Sequence, residues 1–440
     1  MNNIYKDIDR VVDLLEKEII EFRRDFHKYA EVGWTEFRTS SKITEYLEKM
    51  GLEVKLGGEI LNKESMMGVP SEEELKKHMQ RALEQGAVKK YTEKMYGGLT
   101  GVVGILDTKI QGPTTAFRFD IDANDGIENN SLDHRPKKEG FLSVNSGAMH
   151  ACGHDGHAAI GLTVAKVLKS MESKLCGKFV FIFQPAEEGA RGAYSIVKSG
   201  LLDEVDYFLS GHIGFAANKL GQIVCNTDGF LSTTKFDVSF KGKSSHAGAS
   251  PQNGKNALLG AASAALNLHT LCQHEEGATR INVGVLNAGT GRNVVPEYAE
   301  MKLETRGETD SLNQYVTSRA IDIIKGAAMM HGLEYKVKVV GRAQRGKSDK
   351  ELSKIIEEQA KNIGEVDEIV EYAKLTGSED ATYMMNKVQE NGGKAVYLMF
   401  GTKKAADHHN SSFDFDEGVL KIATKVYVLS AIKINERGRI

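Results

Sequence analysis

Residues 114–121, TTAFRFDI, and residues 178–183, KFVFIF, decide the fold class, because both are short runs of β-branched and aromatic residues that predict buried strands. A helix is predicted from about residue 157 to 173, between these strands, and another near residues 191–199, after them. Alternation of strand and helix is typical of a largely parallel sheet with helices on both faces. The first half of the chain is therefore predicted to be α/β.

The pattern changes near residue 234. Strands and helices then follow in the order β-α-β-β-α-β: strand 234–241, helix 255–272, strands 280–287 and 299–306, helix 311–331 and strand 334–340. That order is typical of a ferredoxin-like sandwich. The α/β pattern then resumes, with a strand at 395–400 and a terminal helix at 416–433.

The simplest architecture that fits both patterns has two domains. Residues 1–228 and 343–440 are predicted to form an α/β domain with a mostly parallel mixed sheet, and residues 229–342 are predicted to form a ferredoxin-like domain inserted into it. Two further stretches, 59–98 and 124–140, fit this plan poorly. They are interpreted as a surface insertion and a loop, or alternatively as segments that cover a pocket.

The composition excludes several classes of protein. The chain has 440 residues, of which 41% are hydrophobic and 27% charged, so disorder, collagen and coiled-coil arrays are excluded. A net charge of −3 leaves no overall basic footprint, and nucleic acid is not an expected partner. The N-terminal 28 residues predict an amphipathic helix, not a signal peptide, and the sequence offers no membrane span. We therefore expect a cytoplasmic protein whose four cysteines are reduced.

Candidate metal ligands begin at residues 149–157, MHACGHDGH, where the helix predicted at about 157–173 begins. Cys152 and His154 are two residues apart in a turn-like stretch, so a thiolate and an imidazole could converge on one cation. The next candidates, Glu187 and Glu188, follow the strand in FIFQPAEEG. Adjacent carboxylates point in different directions, which allows one to bind a metal while the other takes a proton from water.

Two histidine motifs follow other predicted strands, one at 205–210 and one at 395–400. His212 lies in GHIG at 211–214, and the pair His408 and His409 lies in DHHNSSF at 407–413, where spacing alone does not choose between them. Loops at the carboxyl ends of parallel strands are where α/β sheets place their ligands. Together these residues offer one Cys, one Glu and three His, enough for two metal ions with a shared ligand.

An ordered series of motifs resembles the dimetal amidohydrolases, the family that includes hippurate hydrolase, indoleacetyl-amino-acid hydrolases and carboxypeptidase G. The motifs are FRFDIDA at 117–123, MHACGHDGHAA at 149–159, FQPAEEGARGA at 183–193, GHIG at 211–214, KSSHAGASPQNGKNAL at 243–258, NAGTGRNVVPE at 287–297 and ETRGE at 304–308. The resemblance implies a catalytic α/β domain whose inserted domain is a lid that mediates dimerisation.

The resemblance also implies a role for each matching residue. The implied metal ligands are Cys152, His154, Glu188, His212 and His409, with Glu187 as general base and Asp122 as the acid that orients a ligand. His409 is chosen because the family pattern continues from that histidine to Phe413 and Asp414, although Ser411 stands where the family usually has proline. In the lid, His246 matches the histidine that reaches a partner subunit's active site, and Asn293 and Arg306 match positions that hold the substrate's carbonyl or carboxylate.

Within the family, GSEDATYMM at 377–385, HHNSSFDFDE at 408–417, TTKFDVSF at 233–240 and the extra segment 59–98 resemble the subgroup that hydrolyses p-aminobenzoyl-glutamate. This implies a metal-dependent amidohydrolase with two divalent ions per subunit, Mn²⁺ or Zn²⁺, that releases p-aminobenzoate and glutamate. The implied assembly is a homodimer or a heterodimer with a related subunit. The alternatives are an enzyme for another N-acyl amino acid, of hippurate or indoleacetyl type, and a metal-binding subunit that is inactive without its partner.

Overall fold

The computed structural model describes residues 2–271 and 273–437. The helices are α1 (Asn2–Lys28), α2 (Phe37–Lys49), α3 (Glu72–Glu84), α4 (Lys89–Thr92), α5 (Arg135–Lys138), α6 (His154–Ser170), α7 (Ala193–Val197), α8 (Ala257–Leu268), α9 (Asp310–Met330), α10 (Lys350–Ala360), α11 (Ala381–Glu390) and α12 (Gly418–Arg437). The strands are β1 (Glu53–Leu56), β2 (Val102–Asp107), β3 (Thr114–Asp120), β4 (Asn124–Asp125), β5 (Ala148–Met149), β6 (Lys178–Gln184), β7 (Tyr207–Ile213), β8 (Gln222–Val224), β9 (Thr227–Asp228), β10 (Ser232–Lys241), β11 (Thr279–Ala288), β12 (Tyr298–Gly307), β13 (Glu334–Ala343), β14 (Glu368–Val370), β15 (Ala373–Lys374) and β16 (Lys394–Phe400).

The large sheet is mixed and has eight strands in the order β1-β2-β6-β3-β7-β16-β8-β14. Its centre, β6-β3-β7-β16, is parallel throughout, whereas β1 and β2 add antiparallel strands at one edge. Strand β6 shows why the sheet is buried on both faces: Phe179, Phe181 and Phe183 enter one core, and Val180 and Ile182 enter the other. The predicted α/β fold with a mixed sheet is confirmed.

Helices cover both faces of this sheet. On one face α1, α6 and α12 pack against one another, and on the other α7 packs against α11. The predicted amphipathic N-terminal helix is observed as α1, whose Ile8, Val12 and Ile19 are buried. No helix in the described ranges is long and apolar enough to cross a membrane.

A second sheet, antiparallel throughout, has the order β11-β12-β10-β13. It contains the four strands predicted for the ferredoxin-like pattern, with α8 and α9 between them along the chain, and its core holds Phe236, Val238 and Phe240 from β10. Alternate residues of β10 point away from these helices. Domain boundaries at 228/229 and 342/343 stay a prediction.

Three of the four cysteines, Cys152, Cys176 and Cys225, are buried free thiols. The fourth, Cys272, lies outside the described residues.

Candidate active site

The predicted site residues of the large sheet converge on one edge. Strands β3, β6, β7 and β16 run parallel, so the loops that follow them meet at their shared carboxyl end. The residues brought together there are Asp122 after β3, Cys152 and His154 at the start of α6, Glu187 and Glu188 after β6, His212 in β7 and His409 after β16. They lie far apart in the sequence, and the strand order brings them together.

Two groups of three potential ligand atoms share the Cys152 thiol. In each group the atoms lie within 4.8 Å of one another: one joins Cys152, His154 and His212, and the other joins Cys152, Glu188 and His409. The Cys152 Sγ and the His212 Nε2 are 3.3 Å apart. One thiol is therefore positioned between two sets of candidate ligands, where it could be shared by two neighbouring ions.

The rings of His154 and His212 are oriented by backbone carbonyls. His154 Nδ1 lies 2.9 Å from the Asp122 carbonyl oxygen, and His212 Nδ1 lies 2.7 Å from the Ile213 carbonyl oxygen. With the proton of the neutral ring on Nδ1, each histidine would offer its Nε2 lone pair to a metal ion, which is the arrangement of metal-ligating histidines. The His154 Nε2 is buried and has no hydrogen-bond partner in the described part of the chain.

Three carboxylates hold the turn that carries Glu187 and Glu188. Ala186, immediately before them, has a left-handed φ of 52°, an uncommon conformation for alanine that needs support from its surroundings. Glu36 accepts the Ala186 N–H, and the two oxygens of Asp122 accept the N–H groups of Glu187 and Glu188, each at 2.9 Å. Farther along the turn, one oxygen of Asp380 accepts two more backbone N–H groups.

Sequence reasoning found Asp122 but not Glu36 or Asp380. Asp380 lies in the GSEDATYMM stretch, where two adjacent acids, Glu379 and Asp380, are a local signal of a functional carboxylate. Nothing local marks Glu36, because its partner Ala186 is 150 positions away.

The two adjacent glutamates have opposite pKa shifts. Burial opposes ionisation of Glu188, but the hydrogen bond from His409 and the charge of His154 outweigh it and lower the Glu188 pKa to about 2. Burial, followed by the carboxylates of Glu379 and Glu188, raises the Glu187 pKa well above its ordinary value. Neighbouring carboxyl groups with separated pKa values are typical of a ligand and an acid/base partner.

The structure distinguishes between the two adjacent histidines after β16. His409 Nε2 lies 3.3 Å from Glu188 Oε1, and its residue has a left-handed φ of 65°. Hydrogen bonds with Cys152 and Glu188 raise the His409 pKa to about 10. His408 instead stacks on Phe215 at 4.4 Å and places its Nε2 3.1 Å from the Ile213 carbonyl oxygen. Of the two rings, His409 is the one that joins the cluster.

The other two histidines of MHACGHDGH are also buried. His157 bridges Asp120, at 2.5 Å from its Nδ1, and the backbone N–H of Ile213, at 2.9 Å from its Nε2. Neither ring nitrogen of His150 has a hydrogen-bond partner among the described residues, and burial lowers the His150 pKa to about 3. His157 thus supports the β7 strand end next to His212.

The second sheet contributes Arg306 to this cleft but not His246 or Asn293. Arg306 lines the same pocket as Cys152, Glu187 and Glu188. His246 and Asn293 are exposed neighbours, joined by a 3.0 Å hydrogen bond from the Ala247 N–H to the Asn293 carbonyl. The His246 Nδ1 accepts the N–H groups of two following residues, which leaves the proton on Nε2 free to be donated.

A cavity of about 660 Å³ separates the metal-ligand cluster from the second sheet. Its walls include Gly68 and Val69 from the 59–98 segment and residues 124–127 from the 124–140 segment, in addition to Glu188 and His409. Of the two interpretations of these segments, the one in which they cover a pocket agrees with this arrangement.

The donor set fits divalent transition metals. A thiol, imidazoles with free Nε2 atoms and a low-pKa carboxylate are the ligand types of zinc and related ions. The unpartnered buried Nε2 of His154 supports the fit, since a buried polar atom is seldom left without a partner.

Comparison with known proteins agrees with this geometry. Residues 116–433 match peptidase family M20/M25/M40. The chain is 47% identical to a protein of Escherichia coli (strain K12) that is named as one of the subunits of p-aminobenzoyl-glutamate hydrolase, over 97% of this chain and 98% of that protein. It is 48% identical to indole-3-acetyl-aspartic acid hydrolase of Enterobacter agglomerans, over 94% of this chain and 95% of that protein.

A solved structure is similar over nearly the whole chain. The crystal structure of an aminobenzoyl-glutamate utilization protein from Klebsiella pneumoniae has a TM-score of 0.83 at 42% identity, covering 97% of this chain and 98% of that one. The predicted resemblance is confirmed, and with it a metal-dependent amidohydrolase that acts on N-acyl amino acids. The chain therefore belongs to peptidase family M20/M25/M40.

Proposed function

We propose that this enzyme hydrolyses the amide bond of p-aminobenzoyl-glutamate, releasing p-aminobenzoate and glutamate. The observation that carries the proposal is the position of the adjacent pair Glu187 and Glu188 at the ligand cluster, where Glu188 groups with Cys152 and His409 while Glu187 lies beside His154. The choice of acyl group and amino acid is supported by the relatives that act on aminobenzoyl-glutamate by name.

Five residues would hold two divalent ions, Mn²⁺ or Zn²⁺: Cys152, His154, Glu188, His212 and His409. Bound divalent ions supply positive charge that lowers the pKa of water and polarises the substrate carbonyl. Asp122 positions this set, because it fixes the ring of His154 through its carbonyl and the backbone of Glu188 through its carboxylate.

Glu187 serves as the general base. Its side chain is largely buried beside His154 and Glu379, so the carboxyl holds a proton more tightly than a solvated glutamate does. Divalent ions at the neighbouring ligands would counteract that shift and favour the ionised carboxylate that a base requires. Glu187 can then take a proton from the attacking water and return it to the amine of the leaving amino acid.

Residues 229–342 act as a lid and dimerisation domain in this proposal. His246 donates its Nε2 proton to the substrate carbonyl in the partner subunit's cleft, which accounts for its exposure and its absence from the walls of its own cleft. Asn293, beside it, holds the carbonyl, and Arg306 holds the α-carboxylate of the amino acid. The partner is a second copy of this chain or a related one, and the Escherichia coli relative, named as one subunit of its enzyme, supports such a pairing.

The cytoplasm is the compartment we assign to the enzyme. Cys152 must be reduced to bind metal, and its thiol is free and buried. A reducing compartment maintains that state.

The decisive experiment is hydrolysis by the purified chain after metal removal and reloading with Mn²⁺ or Zn²⁺. We expect p-aminobenzoyl-glutamate to be cleaved only by reloaded protein. Faster cleavage of indole-3-acetyl-aspartate would transfer the assignment to the second candidate substrate, which the Enterobacter relative supports. Full metal loading with no hydrolysis of any conjugate, followed by activity once a related subunit is added, would identify a chain that requires its partner.

Subunit complementation tests the lid assignment. His246→Ala and Glu187→Ala chains should each be inactive, but the mixture should regain activity, because one hybrid cleft combines the intact Glu187 with the partner's intact histidine. If mixing restores nothing although hybrids form, His246 does not act across the dimer.

A further inference from the structure

The second sheet has two faces of opposite character. Phe236 and Val238 of β10 are buried under the helices of that domain, whereas Lys235 and Asp237, between them in sequence, line the cavity beside the metal-ligand cluster. Lys302 of β12 and Lys338 of β13 stand opposite Asp237 in register and line the same cavity. A sheet face rich in lysine therefore forms the wall opposite the catalytic carboxylates.

Lys235 and Arg306 share one carboxylate. The Lys235 Nζ lies 3.3 Å from Glu304 Oε2, and the Arg306 guanidinium lies 2.9 Å from Glu304 Oε1. Burial opposes ionisation of Glu304, but the hydrogen bond from Arg306 and the charge of Lys235 outweigh it, so its pKa lies below the ordinary value. Glu304 thus holds two cations side by side while neutralising only one positive charge.

The excess of positive charge extends across the face. Within the described residues, neither Lys302 nor Lys338 has a carboxylate within 4.0 Å, although both flank Asp237. A cavity wall with unpaired ammonium groups favours an anionic ligand, and burial of the ligand strengthens the attraction.

Lys235 lies where the lysine-rich sheet face adjoins the metal-ligand cluster. It is the lysine of this face that lines both the large cavity and the smaller pocket containing Cys152, Glu187 and Arg306. Glu304 keeps the two cations adjacent, so an amino acid whose α-carboxylate binds Arg306 can place its side chain beside Lys235. A carboxylate on that side chain would accept a charged hydrogen bond from Lys235, in addition to the one that Arg306 donates to the α-carboxylate.

We propose that Lys235 is a specificity-determining residue that binds the side-chain carboxylate of the leaving amino acid and makes the enzyme selective for N-acyl derivatives of acidic amino acids. This inference rests on the proposed function, in that the site must cleave or bind N-acyl amino acids. A different role for Lys235, that it only neutralises Glu304, predicts the same effect on acidic and neutral substrates.

The test compares two conjugates that differ in one charge, p-aminobenzoyl-glutamate and p-aminobenzoyl-glutamine, on metal-loaded enzyme. Lys235→Met should lower kcat/KM for the glutamate conjugate about tenfold or more, mainly through KM, and change that for the glutamine conjugate less than about twofold. Lys336→Met is the matched control, because Lys336 lies two residues from Lys338 on the same strand but does not line the cavity. It should change neither value.

Unaltered turnover of the glutamine conjugate shows that Lys235→Met is folded. Equal losses for both conjugates, or no loss for either, would overturn the proposal. Selectivity for glutamate over glutamine with indole-3-acetyl conjugates, but no cleavage of aminobenzoyl ones, would contradict the proposed substrate and retain this inference.

Equilibrium binding gives a second readout that needs no turnover. In a metal-loaded Glu187→Gln background, Lys235→Met should raise the Kd of p-aminobenzoyl-glutamate about tenfold and leave that of the glutamine conjugate unchanged. Equal Kd values for both conjugates in the parent background would show that the wall does not recognise the second carboxylate.

Discussion

His154 and Asp155 are consecutive residues at the start of α6, yet they enter two buried clusters of opposite character. His154 faces the cleft. Asp155 faces away from it, where its carboxylate lies 2.8 Å from both Arg23 and His27. We call the second cluster the arginine network; it consists of Arg23, Arg24, His27, Glu128, His134, Arg135, Asp155, Asp414 and Glu417.

The arginine network compensates its own charges. Arg23 is completely buried and bonds to Asp155, Asp414 and Glu417 at 2.8, 2.8 and 3.2 Å. Arg135 provides further bonds to the last two. These contacts tie α1 to the start of α6 and to the loop that leads into α12, behind the cleft.

The cleft differs in which of its carboxylates an arginine matches. Glu187 approaches Glu379 and Asp380, whose carboxylates are paired with the buried Arg118 at 3.0 and 3.3 Å. Among the described residues, Glu187 itself has no arginine partner, and Glu188 is paired with a histidine. Removing one partner from a buried and matched charge network is strongly destabilising, whereas buried carboxylates and lone pairs without an arginine partner are suited to an added cation. The difference explains why the consecutive residues His154 and Asp155 belong to clusters with different functions.

Replacing the general base should give the largest effect. Glu187→Gln is expected to lower kcat about 10²–10⁴-fold while the metal content stays the same, because proton transfer is lost but no proposed ligand is removed. Metal analysis and steady-state kinetics measure the two quantities. Glu204→Gln, at an exposed position, is the control. A variant with wild-type kcat would exclude Glu187 as the base.

Breaking the arginine network should act on stability instead. Arg23→Met leaves three carboxylates without their central cation and is expected to lower the free energy of unfolding by about 3–5 kcal/mol. The folded variant should bind metal with unchanged stoichiometry. Denaturant unfolding measures the loss, and the exposed Arg10→Met should stay within about 0.5 kcal/mol of the parent. Loss of metal from folded Arg23→Met would show that the clusters are coupled.

Replacing Asp122 should have a smaller effect, on the metal affinity of the cleft. Asp122→Asn keeps the shape of the side chain but can accept only one of the two backbone N–H groups, so metal affinity should fall about 10–100-fold. Competition with a chelator measures the affinity. Asp125→Asn, in the same loop and exposed, provides the matched comparison. Equal affinities in both variants would mean that the turn does not depend on Asp122.

The pH dependence of metal binding should be the smallest of these effects that distinguishes the cleft from the arginine network. Cation binding requires deprotonated ligands, yet burial raises the Cys152 pKa and hydrogen bonding raises that of His409 to about 10. Metal affinity is therefore expected to fall as pH decreases below 10, with protons released on binding. Calorimetry in two buffers with different ionisation enthalpies measures the release, and binding without release at pH 7 would contradict it.

The carboxyl groups of the arginine network titrate in a different range. The Asp155, Asp414 and Glu417 pKa values lie below their ordinary values, because neighbouring arginines outweigh burial. Their contribution to stability is present above the unfolded pKa, about 4, and is lost as pH falls through the folded values. Acid unfolding curves of the parent and Arg23→Met should converge at low pH.

Much of the cleft could be predicted because its residues follow strands. Each predicted strand end carried a histidine or carboxylate, and the parallel order of β3, β6, β7 and β16 brings these ends together. Asp155 shows the limit of such reasoning. It lies inside the motif that contains two candidate ligands, and its sequence position does not reveal that its partner is Arg23, 132 positions away.

The sequence by itself determined the succession of strands and helices and the chemical types of candidate ligand, because periodicity and adjacency are local properties. The choice of Glu187 as proton carrier is implied by the family resemblance and stays a prediction. Only the tertiary structure decided which face each side chain occupies. It placed His409 against Glu188 and His408 against Phe215, and it turned Lys235 toward the cleft. Those outcomes depend on strand order and register, which are set by packing between distant parts of the chain.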